Sequence, residues 1–355
     1  MIQQIRDIAA QLASVYPTDE AEALAWWIAE ETTGLSRTQL QIGCKGTTNF
    51  PKVQEFFAKN DLCLHKNNIL AGNACRSQEN ANVASGELCN KAESEGTKIL
   101  QAIIDRLLHF EPIQYIFGHT IWNGLDLLVT PATLIPRPET AELVETIVNK
   151  FNRQSIVNRQ SSNRQFHVLD IGTGSGCIAI SLKKAHPEWQ VTGIDISPQA
   201  IEVAKKNAKR NGVEVEFKIA DIFDSNEENL PYLQIVPQGK ESSIFNLQYD
   251  IVVSNPPYIC ESEKSSMRRN VLEYEPATAL FVPDSDPLRF YRRIAELFFR
   301  TPYTIHRTPK YLFFEINEAY PAELSAMLDQ LGYTDIRLTN DIYGKPRIIE
   351  ARMVR

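Results

Sequence analysis

Phe166-His167-Val168-Leu169-Asp170-Ile171, then Gly172-Thr173-Gly174-Ser175-Gly176, then Cys177 to Ala185: this stretch decides the fold. The first six residues form a short, largely apolar run of strand type, and the last nine read as a helix. The five between alternate glycine with small polar residues. Glycines there permit a tight turn and bring backbone N–H groups close to a ligand at a helix N-terminus. The spacing is Gly-x-Gly-x-Gly, not the Gly-x-Gly-x-x-Gly of dinucleotide-binding turns.

The same alternation continues downstream. Strands are expected at Gln190–Ile194, Val215–Ile219, Tyr249–Ser254 and Tyr311–Glu315. Helices are expected from Ser197-Pro198 to Asn211-Gly212, over Leu288–Phe299 and over Pro321–Leu331, the first with proline at its opening position. Residues 225–248 read as a long variable loop. Thr334–Leu338 and Arg347–Ala351, joined through Asp341-Ile342-Tyr343-Gly344-Lys345, read as a closing hairpin. Alternating strands and helices imply a parallel sheet, to which that hairpin adds an antiparallel strand.

Asn255-Pro256-Pro257-Tyr258 ends one of these strands abruptly. Two prolines offer no N–H and fix φ, so Asn255 is left at the carboxyl end, where open parallel sheets bind ligands. An amide oxygen, a proline carbonyl and an aromatic face on stiff backbone form a clamp for a planar group bearing NH₂. A plain turn explains four residues equally well, and the neighbours decide. Asp195 ends the second strand, where a carboxylate can take both ribose hydroxyls. Asp221-Ile222 follow the third, where an acid can accept from an adenine amino group and the apolar neighbour can pack on the ring. Asp170 with its glycines, Asp195, Asp221 and the Asn-Pro-Pro-Tyr turn lie at successive strand ends. As an ordered set they match the S-adenosylmethionine site of class I methyltransferases.

Upstream, residues 1–42 read as helical. One helix covers Ile2 to Ser14. A second follows Pro17, with Asp19 and Glu22 as a capping pair and Ala23, Leu24, Trp27 and Ile28 as its apolar face. Of Trp26 and Trp27, one is expected in the core and the other at a domain contact. Leu35 to Leu40 opens a further short helix. Phe50 to Ala58 reads as helix and 60–95 as a loosely ordered loop. Ile99, Ile103 and Leu107, beside Leu100, Ile104 and Leu108, give a helix over 97–110 a wide apolar stripe. Tyr115, Phe117 and Trp122 to Val129 then read as a β-hairpin turning at Asn123-Gly124. A helix opens at Pro138-Glu139-Thr140 and runs through Phe151. The three Asn-Arg-Gln copies in 152–165 read as a low-complexity surface loop, not a basic stripe for nucleic acid.

The chain has 355 residues, 43% apolar and 23% charged, which suits a globular protein of about two domains. A net charge of −7 argues against a protein that coats bare nucleic acid. Met1 to Pro17 lacks the basic and apolar regions of a signal peptide, and no stretch approaches the ~18 apolar residues of a membrane span. The six cysteines form no Cys-x-x-Cys pair and fit reduced thiols in a cytoplasmic protein. Cys44, Cys63, Cys75 and Cys89, with His65, are spaced too widely for a zinc site, so no metal is expected.

The chain resembles the N5-glutamine methyltransferases that modify peptide chain release factors, the HemK/PrmC family. The resemblance rests on Glu111 to Gly118, on Leu134-Ile135-Pro136-Arg137-Pro138-Glu139-Thr140, on the glycine loop and on Asn255 to Ile259. Glu275-Pro276-Ala277-Thr278-Ala279-Leu280, Phe290 to Ile294 and Asp341 to Arg347 complete it. It covers nearly the whole chain apart from 43–95 and 152–165. It implies an α/β fold: a class I, Rossmann-like methyltransferase domain at 137–355, a small helical, substrate-gripping domain at 1–112 and a β-hairpin connector at 113–136.

The resemblance further implies S-adenosylmethionine as cofactor, held by Asp170, Gly172, Thr173, Gly174, Ser175, Gly176, Asp195, Asp221, Ile222 and Asn255. Arg137, Glu139 and Thr140 would line the cofactor side. The substrate would be the glutamine of a Gly-Gly-Gln loop, gripped by Asn255, Pro256, Pro257 and Tyr258. Asn255 Oδ1 and the Pro256 carbonyl would accept its two N–H bonds, with Tyr258 against the amide plane. The expected setting is a cytoplasmic monomer acting on release factors, with no membrane and no direct nucleic acid. Asn317-Glu318-Ala319 and Val282 to Asp286 depart from the family pattern, and neither is expected to touch the clamp. Three alternatives remain open at this level: a ribosomal-protein glutamine, an exocyclic base amine presented by flipping, and a degenerate binding module of the translation machinery.

Overall fold

The computed structural model describes residues 2–42, 85–157, 165–224, 249–300 and 310–353. They divide into two compact units, Met1–Gly118 and His119–Arg355.

The first unit is helical: α1 (Ile2–Leu12), α2 (Thr18–Thr33), α3 (Arg37–Ile42), α4 (Ser85–Leu108) and α5 (Ile113–Phe117). Ile5, Ile8 and Leu12 of α1 meet Ala25 and Ile28 of α2, Ile103, Ile104 and Leu107 of α4, and Phe117 in one core. Several expectations shift. The buried face of α2 is Ala21, Ala25, Ile28 and Ala29, while Ala23 is exposed. Trp26 and Trp27 both pack partly buried on this core. Pro17 precedes α2 with no side-chain cap, so Asp19 and Glu22 form no capping pair. The helix over 97–110 starts at Ser85, which makes the last part of the expected loop helical. Its Glu, Lys and Ala residues are good helix formers. Residues 50–58 and 60–84 lie outside the described residues. Tyr115 and Phe117 sit in a helix, not a strand: Pro112 opens it and Gly118, at φ 74°, closes it.

The second unit begins with β1 (His119–Trp122) and β2 (Leu125–Leu128). Asn123 and Gly124 turn between them at φ 47° and 71°, the left-handed pair that a two-residue hairpin requires. Then come α6 (Pro138–Val157), β3 (His167–Ile171), α7 (Cys177–Ala185), β4 (Gln190–Asp195), α8 (Pro198–Arg210), β5 (Glu216–Ile219) and β6 (Ile251–Ser254). α6 runs past Phe151, so the first Asn-Arg-Gln copy is helical rather than loop, and 158–164 lie outside the described residues. A two-stranded parallel ribbon joins β7 (Ile259–Cys260) to β8 (Phe281–Val282), with the short α9 (Arg269–Tyr274) between them. The chain closes with α10 (Arg289–Arg300), β9 (Lys310–Glu315), α11 (Pro321–Gln330), β10 (Thr334–Asn340) and β11 (Pro346–Met353).

Seven strands form one sheet in the order β10-β11-β9-β6-β3-β4-β5. β11 runs antiparallel to both of its neighbours, and the other described pairs are parallel. Both faces are covered, so consecutive strand residues enter different cores. Val168, Ile251, Val253 and Phe313 pack with Leu143, Ile147 and Ile178 of α6 and α7. Leu169, Val252, Leu312 and Phe314 pack with Tyr291, Ile294 and Leu324 of α10 and α11. After β5 the chain returns to the other side of β3 and forms β6. This reversal opens a crevice at the carboxyl ends of β3 and β6, where an α/β sheet binds its ligand.

The hairpin docks on α8. Asn207 Oδ1 accepts from the Leu128 N–H at 2.7 Å and Asn207 Nδ2 donates to the Leu128 carbonyl at 3.0 Å. Asn211 makes the matching pair with Asp126.

Candidate active site

The glycine loop is tied from several sides. The N–H groups of Gly172 and Thr173 both donate to the Ile194 carbonyl at 2.9 Å, and Gly174 N–H donates to Asp195 Oδ2 at 2.9 Å. Asn207 Nδ2 donates to the Ser175 carbonyl at 2.9 Å. Asp170 Oδ2 accepts from Thr173 Oγ1 at 2.6 Å and from Ala179 N–H at 3.2 Å. Its Oδ1 is buried with no hydrogen-bond partner among the described residues. Burial pushes the Asp170 carboxyl up to about 7, against those two bonds and with a smaller upward push from Asp195. Gly172 holds φ 70° and a Cβ there would meet open space. Gly176, at φ 82°, would press a Cβ against Ile180, Ala204 and Phe217 at 3.0 to 3.2 Å.

A cavity of about 700 Å³ occupies the crevice. It is lined by Gly172 to Ser175, by Asp195 and Ile196, by Asp221, Ile222 and Phe223, by Asn255, Pro256 and Pro257, and by Arg137 and Thr140. Most of the expected site residues therefore share one surface. Asp170, Gly176 and Tyr258 do not line it, and neither does Glu139. Asp170 braces the loop from beneath, and Gly176 is a packing glycine. Asp195 also accepts from Ser197 N–H at 2.9 Å, and burial raises its pKa against its backbone bonds. Asp221 Oδ1 accepts from Phe223 N–H at 2.8 Å. Both carboxylates keep lone pairs for a ligand.

At the clamp, Asn255 Nδ2 donates to Thr140 Oγ1 at 3.1 Å, and Thr140 Oγ1 donates to Glu315 Oε2 at 2.6 Å. Among the described residues no group donates to Asn255 Oδ1. Tyr258, expected against the ligand, points its hydroxyl at Glu315 Oε1, 3.1 Å away. Burial drives its phenol pKa far above the usual range. Glu315 is itself fully buried at the end of β9, and burial raises its pKa while Thr140, Tyr258 and Arg347 oppose the rise.

The Asn317 departure does reach the clamp, contrary to expectation. Its Nδ2 donates to the Tyr258 carbonyl at 3.0 Å and to Glu263 Oε1 at 3.2 Å. A glycine at this position would have no side chain to make either bond. Two distant motif segments also join: Arg137 Nη2 donates to the buried Glu275 carboxylate at 2.6 Å, and Trp122 Nε1 donates to the Arg137 carbonyl at 2.7 Å. Sequence reading gave no role to Glu315 or Asn207. The only advance signal for Glu315 was an acid ending a strand, as Asp195 ends β4.

A model of a methyltransferase domain matches residues 162–282, from just before β3 through β8. A release factor glutamine methyltransferase of Bacteroides thetaiotaomicron is 38% identical over 344 residues, covering 97% of this chain and 97% of its own. That span runs through most of 43–95 and 152–165, which the motif resemblance passed over. Another protein of that name, from Flavobacterium psychrophilum, is 40% identical over 70% of this chain and 78% of its own. Identity at this level along essentially the full length of both chains goes beyond a shared sheet: the chain belongs to the family of release factor glutamine methyltransferases.

Proposed function

We propose that the protein transfers a methyl group from S-adenosylmethionine to the side-chain amide nitrogen (N5) of the glutamine in the Gly-Gly-Gln loop of peptide chain release factors. The observation that carries this reading is the oxygen of Asn255 in the cavity wall beside Pro256, which no described residue engages, with its own NH₂ tied back to Thr140. Two acceptors on stiff backbone suit a primary amide, which offers two N–H donors on one nitrogen. The names of the relatives support the substrate.

The residues present fit the cofactor. Gly172 presents left-handed backbone to open space, so a ligand can approach the main chain closely. Asp195 would hold the ribose hydroxyls, Asp221 the adenine amino group and Ile222 the face of the base. The cavity volume is that of an ordinary small-molecule site. When bound, S-adenosylmethionine supplies an electrophilic methyl group on a sulfonium centre.

The chain itself contributes positioning and electrostatics. A glutamine nitrogen is a poor nucleophile because its lone pair is delocalised into the carbonyl. Asn255 Oδ1 and the Pro256 carbonyl accept its two hydrogens, hold the nitrogen in one orientation and stabilise positive charge as it develops. No strong base is required, because the proton leaves after methyl transfer. Glu315, the carboxylate wired to the clamp, is already engaged by Thr140 and Tyr258. Residues 1–112 and the hairpin grip the release factor, 113–136 connect, and 137–355 carry the chemistry. The net charge of −7 supports a protein substrate over nucleic acid, and no described helix is long and apolar enough to cross a membrane. A cytoplasmic monomer completes the reading.

The test is mass spectrometry of purified release factor incubated with the protein and S-adenosylmethionine. One added methyl on the Gly-Gly-Gln peptide, lost with Asn255→Ala, is the expected result. An unmodified peptide with cofactor still bound would redirect the search to ribosomal proteins and then to nucleic acid.

A further inference from the structure

The amide of Asn255 can face the cavity in two ways, oxygen first or nitrogen first. Its shape hardly distinguishes them, so its hydrogen-bond partners must. The partner is Thr140 Oγ1, at 3.1 Å from Nδ2. A threonine hydroxyl carries one proton and two lone pairs. At 2.6 Å from Glu315 Oε2 that proton is committed to the carboxylate, which leaves Thr140 only lone pairs to offer Asn255. An oxygen that can only accept must be faced by the NH₂ end. Tyr258 donates to the other oxygen of Glu315 at 3.1 Å, so the carboxylate is held from both sides and keeps its acceptor role.

We propose that Glu315, acting through Thr140, sets the polarity of the Asn255 amide and thereby makes the clamp select a primary amide over a carboxylate. Both are positioning residues. The inference rests on the reading that Asn255 accepts from the substrate glutamine. With Oδ1 and the Pro256 carbonyl facing the substrate, the clamp consists of acceptors alone. Glutamine supplies two N–H donors to it. Glutamate supplies only acceptors, and its oxygens would face oxygens. A site built around a substrate N–H rejects an analogue lacking it far more strongly than an apolar pocket rejects an extra methylene. Had the amide been free to turn, its NH₂ would welcome the carboxylate.

The experiment compares wild type, Thr140→Val, Thr140→Ser and Glu315→Leu. Two readouts are taken. One is steady-state methylation of release factor. The other is calorimetric binding of release factor carrying Gly-Gly-Gln or Gly-Gly-Glu to protein saturated with S-adenosylhomocysteine. Thr140→Val keeps the side-chain shape but removes the hydroxyl, so it should lower kcat at least tenfold, in keeping with the roughly 10²-fold losses seen for misplaced catalytic groups. Thr140 itself lines the cavity, so affinity for S-adenosylhomocysteine is measured beside it, and a general loss of cofactor binding is told apart from the loss of preference. The preference for the glutamine form over the glutamate form should fall by about tenfold or more. Thr140→Ser, which keeps the relay, should restore most of both. Should Thr140→Val fail to fold, Glu315→Leu, which frees the threonine proton to turn toward Asn255, should show the same loss of preference. Full kcat and an unchanged glutamine preference in a folded Thr140→Val or Glu315→Leu protein would overturn the inference while leaving the proposed activity standing. Absence of methylation by wild type, with cofactor bound, would remove the activity and this inference with it.

Discussion

Asn317 donates its side-chain amide to the main-chain carbonyl of Tyr258, 3.0 Å away, and so ties the segment after β9 to the exit of the Asn-Pro-Pro-Tyr turn. The same amide reaches Glu263, and Asn317 Oδ1 caps the Ala319 N–H at 2.9 Å. Replacing Asn317 by glycine removes all of these side-chain bonds. Each net bond is worth about 1 kcal/mol, so Tm should drop by a few degrees, and kcat should fall by about three- to tenfold. Cofactor affinity, measured by calorimetry, should be unchanged. A variant with wild-type turnover would show that this tie does not hold the clamp.

Asp195 links the glycine loop to the start of α8 through Gly174 and Ser197 while facing the cavity. Asp195→Ala should weaken cofactor binding by roughly 30- to 100-fold, the equivalent of about one charge-assisted hydrogen bond. At saturating cofactor, kcat should recover to within a few-fold of wild type. An unaltered dissociation constant would count against Asp195 as a cofactor ligand.

Gly172 and Gly176 should separate stability from binding. Gly172→Ala adds a methyl group to open space at φ 70°, at a backbone cost of about 1 kcal/mol, and crowds the cavity. Gly176→Ala pays a similar backbone cost and also meets Ile180, Ala204 and Phe217 at 3.0 to 3.2 Å. Its total should reach about 2–4 kcal/mol. Thermal melts should therefore rank Gly176→Ala as the less stable, while calorimetry should rank Gly172→Ala as the weaker cofactor binder. The reverse pairing would contradict the placement of the two residues.

Asp170 makes a pH prediction. Its carboxyl is raised from 3.8 to about 7 by burial in the folded protein. A raised acid favours folding fully below the unfolded value, and that contribution is lost as pH rises through the folded value. Asp170→Asn keeps an oxygen for Thr173 and Ala179 but does not titrate. Between pH 3.8 and about 7 the melting temperature of Asp170→Asn should rise relative to wild type. A difference in Tm that stays flat across this window would mean that Asp170 is not the titrating group.

Much of the sheet is readable because its signals are local. Short continuous apolar runs, the left-handed turn at Asn123-Gly124 and the proline start of α8 each lie within a few neighbouring residues. The glycine loop, Asp195, Asp221 and the Asn-Pro-Pro turn meet at one cavity because each follows a strand. The misread elements fail for physical reasons. Tyr115 and Phe117 have strand-type side chains, but Pro112 and Gly118 close around them as helix punctuation. Asp170 has the chemistry of a ligand but is buried outside the cavity lining, with Oδ2 engaged by Thr173 and Ala179. The relay from Asn255 through Thr140 to Glu315 is invisible along the chain because it joins residues 115 and 175 positions apart. The pairing of β6 with β9 sets the strand ends that carry Asn255 and Glu315 side by side, and α6 supplies Thr140 between them.

That pairing also acts as a ruler. β6 is held on both edges, with Ser254 opposite Ile171 on one side and Phe314 on the other. Ile251 and Val253 belong to one core and Val252 to the other. A slip of one residue would exchange those faces and carry Asn255 by about 3.3 Å, the rise of one strand residue. A change in the length of the chain between β5 and β6 would leave the amide in place, because the register of β6 is fixed by the strands on either side. Three aliphatic side chains with no place in the chemistry set the reach of Asn255.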